Sequence, residues 1–134
     1  MNRDDVGKLI LRITVGGLML FHGIAKLKHG VAPIEGMLLK EGLPAGAAYG
    51  VYVGEVLAPV LMIVGLGTRL AAAVLAFNMV VATLMVHREH LFATNPQTGG
   101  LVIELELFYL LGAIAVALFG SGRVSVSRGA GRWD

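Results

Sequence analysis

The chain has 134 residues, 56% of them hydrophobic and 15% charged, with a net charge of +2 and a mean hydropathy of +0.77. Soluble domains are typically about 45–50% apolar, so this composition predicts a single-domain membrane protein spanning residues 1–134. Its 11 basic residues stand singly at segment ends with no aromatic interleaving, which excludes nucleic acid as a partner, and zero cysteines exclude disulfides, thiolate metal sites and thiol redox chemistry.

The first apolar run, 8–27, is near the roughly 20 residues needed to cross hydrocarbon. It lacks a small-residue exit and ends in Lys26, Leu27, Lys28 and His29, so it reads as a permanent span, not a signal peptide. Arg12, Gly16, Met19, Gly23 and Lys26 recur at intervals of 4, 3, 4 and 3 and fall on one stripe, whose small residues favour a neighbouring helix. The bland alternative for Arg12 and Lys26 is snorkelling to opposite interfaces.

Pro33 followed by Ile34, Met37 and Leu38, and then by Gly42 and Pro44, predicts a short amphipathic helix lying at the outer surface. The second span is read over 45–66. Glu55 lies near its middle, too deep to snorkel, and Pro59 one turn later frees a backbone carbonyl and permits a kink. Five residues, Gly65 to Arg69, join this span to the third, 70–86, which makes the two antiparallel neighbours. Asn78 sits mid-span and His87 closes the outer end. Asn95-Pro96 and Gly99-Gly100 mark an outer loop before the fourth span, 101–119, and 120–134 form a polar basic tail.

Arg3, Lys8, Arg12, Arg69, Arg123, Arg128 and Arg132 fall on one side of this topology and Lys26, Lys28, Lys40 and Arg88 on the other, which predicts both termini in the cytoplasm. The expected fold is an all-α integral membrane four-helix bundle with an interfacial helix between its first two spans. By depth, Glu55, Glu106, His22, Lys26 and Asn78 are expected to converge on an outer-half pocket that binds a ligand or protons. Glu104 and Glu106 lie about 200° apart around a helix, and Glu106, beside Tyr109 and in line with Ala113 and Ala117, is the inward candidate. Arg12, Arg69 and Pro59 are candidates for structural or charge-pairing roles. No metal motif is present beyond the weak set His87, His90 and Glu104 in a solvated loop.

These residues carry a resemblance. Arg12, Gly16-Gly17, His22-Gly23 with Lys26-Leu27, Glu55, the Gly65-Leu66-Gly67-Thr68-Arg69-Leu70 turn, His87, Gly99-Gly100 with Glu106, and Gly120-Ser121-Gly122-Arg123 with Ser125 resemble the DoxX family of small four-helix membrane proteins over about residues 8 to 127. Ser127 stands where family members often carry aspartate. The resemblance implies a bacterial-type plasma (inner) membrane protein tied to redox chemistry. Relatives include a subunit of a thiosulfate:quinone oxidoreductase and members linked to oxidative-stress defence.

The leading expectation is therefore a membrane subunit of a redox-linked system, binding a quinone or similar small molecule in the outer-half pocket. Its partners would be the lipid membrane and an oxidoreductase subunit or further copies of the chain. A small proton-coupled transporter using Glu55 and a non-catalytic scaffold are the alternatives. The missing Cys-x-x-Cys pair excludes thiol-dependent quinone reductases.

Overall fold

The computed structural model describes residues 1–134 as five helices without a strand. Helix α1 covers Arg3–His29, α2 Ala32–Lys40, α3 Ala45–Val64, α4 Thr68–His87 and α5 Glu104–Phe119. Helices α1, α3 and α4 are long and apolar enough to cross a membrane. Helix α5 has 16 residues, about 24 Å at 1.5 Å per residue.

Each boundary has a local cause. Asn2 accepts a hydrogen bond from the Asp5 amide and so caps α1. Pro33 occupies the first turn of α2, where its missing N–H costs nothing. Helix α3 ends at Gly65 in the left-handed region, with the Gly65 and Leu66 amides both returning to the Leu61 carbonyl at 2.9 and 3.0 Å. Gly67 is again left-handed, so three residues reverse the chain into α4. The expected tight turn is formed this way, and α3 and α4 pack as neighbours.

One core runs through four helices. Val15 and Met19 of α1, Ala58 and Met62 of α3, Ala71, Ala72, Leu75 and Met79 of α4, and Tyr109, Ala113 and Val116 of α5 are its buried members. Alanines at 71, 72 and 113 leave room for the close α4–α5 packing, the most extensive in the molecule. Of the expected α1 stripe, Arg12, Gly16, Met19 and Gly23 are buried, joined by Asp5 and Val15, while Lys26 is half-buried. A side chain at Gly16 would lie 3.0 Å from the Pro59 carbonyl, and one at Gly23 would collide with the Glu55 backbone. Both glycines are therefore conditions of the α1–α3 contact.

Helix α2 turns Leu38 inward, with Val31 and Ala48, against Ile34, Val51, Tyr52 and Met85. The amphipathic pattern thus buries one face of α2 on the start of α3 and the end of α4.

The residues expected on one side of the chain do share one end of the molecule. The Arg123 amide donates to Asp5, Arg12 to the Val124 carbonyl, Ser127 to the Gly65 carbonyl and Arg69 to the Trp133 carbonyl. The basic tail is thereby folded back onto the first turn of α1 and the α3–α4 turn. At the opposite end Arg88 pairs with Glu41 at 2.9 Å.

Candidate functional site

Glu55 is only 3% exposed. The segment Val53–Leu57 around it is a π-helical turn, in which the Ala58 amide reaches back five residues to the Val53 carbonyl. Pro59 is the cause on its C-terminal side, because it has no N–H with which to engage the Glu55 carbonyl in an α-helical bond. Single π-turns inside α-helices frequently mark functional sites.

Three helices supply the polar partners. From α1, the Lys26 ammonium donates to Glu55 Oε2 in an ion pair. From α4, Asn78 Nδ2 donates to Glu55 Oε1 at 3.1 Å. Tyr52, one turn earlier on α3, donates from its hydroxyl to the Lys26 carbonyl at 3.1 Å and fixes the end of α1. A side chain at Gly54 would lie 2.6 Å from Asn78 Cβ, so the glycine is the space through which Asn78 reaches the carboxylate. Both carboxylate oxygens are satisfied, as a buried charge requires. The Lys26 side chain keeps 30% of its surface exposed.

This trio forms one wall of a cleft of about 550 Å³ between α2, α3 and α4. Thirteen of its 18 lining residues are hydrophobic, among them Ile34, Met37 and Leu38 of α2 and Phe77, Val81 and Met85 of α4. Volume and lining both fall in the ordinary range for small-molecule sites, apolar walls with a few convergent polar groups. Chemically the wall offers a cation, an amide donor and the carboxylate that both of them bind.

Of the five residues expected to converge, the structure brings together Glu55, Lys26 and Asn78 and separates the other two. His22 is exposed and meets Tyr109 edge to face at 5.7 Å between ring centroids. Glu106 faces the end of α4, where its Oε1 lies 3.3 Å from His87 Nε2. Neither lines the cleft. The reason is azimuth: His22 adjoins Gly23 in sequence and so sits about 100° away from the buried stripe. Glu104 is exposed, and His87, His90 and Glu104 form no three-ligand metal cluster.

Arg12 also departs from the snorkelling alternative. It is 1% exposed, its Nη2 donates to the Val124 carbonyl at 2.6 Å, and its Nε and Nη1 have no partner. Lys26 pairs with Glu55. Arg69 holds the tail through Nε to the Asp134 carbonyl at 3.1 Å. Sequence reasoning identified neither Tyr52, which fixes the end of α1, nor Gly54 and the α2 side chains that line the cleft. Gly54, flanking a mid-span acid, was the available signal.

The DoxX family model matches residues 7–88, an interval that includes Lys26, Glu55 and Asn78. The chain is 30% identical over 124 residues to a protein of Bacillus subtilis strain 168 named "Putative oxidoreductase CatD", a match covering 90% of this chain and 85% of that protein. No solved structure matches it. With three helices long enough to cross a bilayer and a family match over most of its length, the chain is a membrane protein and belongs to the DoxX family.

Proposed function

We propose that the chain is an integral membrane subunit of a redox-linked system whose cleft binds a quinone or a comparable lipophilic small molecule. The observation that carries this reading is the pairing of an apolar cleft of about 550 Å³ with a single polar wall of Lys26, Glu55 and Asn78. The name of the Bacillus subtilis relative supports the redox association. In this reading α1, α3, α4 and α5 form a four-helix bundle across a bacterial-type inner membrane, within a single domain spanning 1–134. Helix α2 lies at the outer interface, and the end carrying Arg69, Arg123 and Arg128 is cytoplasmic.

A quinone fits the donor set. Such a ring presents carbonyl oxygens that accept hydrogen bonds, and when bound it would supply two-electron chemistry coupled to protons. Lys26 Nζ and Asn78 Nδ2 are the donors, both now spent on Glu55 and able to turn toward a ligand carbonyl in the cleft. Glu55 holds the two donors in place and can accept or return a proton beside them. Ile34, Met37 and Phe77 give the same space apolar walls that suit an isoprenoid tail. A transporter would need Glu55 to exchange a bound cation, and Lys26 already fills that role from within the chain.

The test is lipid extraction from protein purified from its native membrane, joined to thermal unfolding with added quinone. The expected result is co-purifying quinone and a rise in Tm that Lys26→Met weakens. Absence of quinone from the extract, together with no quinone-dependent shift, overturns the reading.

A further inference from the structure

The opposite end of the molecule holds a second cavity of about 360 Å³, and only one of its lining residues, Phe119, is hydrophobic. It lies where the first turn of α1, the start of α4 and the folded tail meet. Lys8, Arg69, Arg123 and Arg128 line it together with Asp4, Asp5 and Asp134. The side chains of Lys8, Arg123 and Arg128 make no ion pair and no hydrogen bond within the chain, although carboxylates share the cavity with them. Asp5 adds an independent feature. It is 5% exposed, its Oδ1 accepts from the Arg123 amide at 3.2 Å, and its Oδ2 is buried with no partner.

A buried carboxylate oxygen without a donor is costly, and three cations that bond to none of the carboxylates beside them leave room for an anion. A simple anion would answer the cations and repel Asp5. A simple cation would do the reverse. One chemistry answers both: a phosphate group that carries its own hydrogen-bond donor. Its oxygens would meet Lys8, Arg123 and Arg128, for which charge-assisted bonds are the strong ones. Its donor, a P–OH, an ammonium or a hydroxyl, would meet Asp5 Oδ2.

We propose that this cavity binds such a phosphate, with Lys8 and the two arginines on its oxygens and Asp5 on its donor. Two sources share the chemistry, an aminophospholipid headgroup and free monohydrogen phosphate. Phe119, beside the cavity at the end of an apolar helix, suits the glycerol and first methylenes of a lipid. The site is independent of the cleft at Glu55, since no residue lines both.

The experiment uses the full chain, purified and delipidated in detergent, with thermal unfolding as the readout. Phosphatidylethanolamine, phosphatidylcholine and inorganic phosphate are added in separate titrations. Phosphatidylcholine controls for the donor, because its quaternary ammonium has no N–H. The expected result is a rise in Tm with phosphatidylethanolamine at a half-saturating concentration at least tenfold below that of phosphatidylcholine. Asp5→Asn narrows that preference, and Lys8→Gln with Arg123→Gln weakens the response to every phosphate. A response to inorganic phosphate alone assigns the site to a soluble phosphate, and a response to the ethanolamine lipid alone assigns it to a headgroup. Equal responses to all three additives, no response to any, or an unchanged response in Lys8→Gln/Arg123→Gln overturns the proposal. Lys8→Gln changes a partly exposed side chain, so it tests the site even where Asp5→Asn disturbs folding.

Discussion

The two ends of this molecule treat buried charge in opposite ways. At the Glu55 end the buried charge has its counterparts: Lys26 arrives from α1, Asn78 from α4, and both carboxylate oxygens are occupied. At the Arg12 end the guanidinium has one hydrogen bond and two bare nitrogens, and Asp5 Oδ2 and Thr68 Oγ1 are equally bare. A paired buried charge is expensive to break from one side. An unpaired one is expensive to keep. Similar-looking intramembrane charges in the sequence therefore predict mutations of opposite sign.

The largest effect is expected where the paired end touches α1. A Cβ at Gly23 meets the Glu55 carbonyl and, at 2.8 Å, Val56 Cγ2, and backbone cannot yield as a side chain can. Gly23→Ala should cost about 3 kcal/mol, the upper range for overpacking. Gly17→Ala, with nothing within 4 Å, should gain about 0.5–1 kcal/mol through helix propensity. Thermal unfolding of the two variants in one detergent tests the contrast; similar shifts would remove the close α1–α3 approach.

Next in size is Lys26→Met, which strands Glu55 in a site 3% exposed and should cost about 3 kcal/mol. Glu55→Gln leaves the more accessible Lys26 and keeps an acceptor for Asn78, so about 1 kcal/mol is expected. The double variant should be more stable than Lys26→Met alone. A double-variant cycle that shows no coupling would mean the pair carries no energy.

Arg12→Met sharpens the comparison further. Replacing a buried, incompletely paired charge by an apolar side chain of similar length is often neutral or stabilising, so a change between zero and about 1 kcal/mol of added stability is expected. A large loss measured by the same unfolding assay would show that Arg12 has a partner beyond Val124. The smallest effect belongs to Arg88→Ala. Its pair with Glu41 is exposed on both sides, and such pairs contribute about 0.2–1 kcal/mol, which added salt should diminish.

The long helices were legible because each feature that defines them is local. Apolar runs of adequate length, Pro33 at a helix start and Gly65 and Gly67 at a reversal all act within a few residues. Glu55 was legible for the same reason: a mid-span acid followed by Pro59 is conspicuous in one dimension. Lys26 and Asn78 were grouped with it by depth, and the ion pair itself depends on how α1 is turned against α3. His22 and Glu106 were grouped with Glu55 by depth, and depth says nothing of direction around a helix axis. The docked tail was hidden for a third reason, since the groups it offers to Asp5, Arg12, Gly65 and Arg69 are mostly backbone amides and carbonyls that any sequence carries.

The π-turn at Val53–Leu57 has a consequence for the helix as a whole. It fits an extra residue into one turn, so the two halves of α3 are out of phase by about 100° relative to an unbroken helix. That offset is what lets Pro59 and Met62 face α1 and α4 while Gly54 faces Asn78 and Val51 and Val53 face the cleft. Removing one residue between 53 and 57 would restore regular winding and swing everything before it around the axis. Lys26 and Asn78 would then be left addressing a different side chain. A relative lacking that single residue would retain the bundle and lose the site.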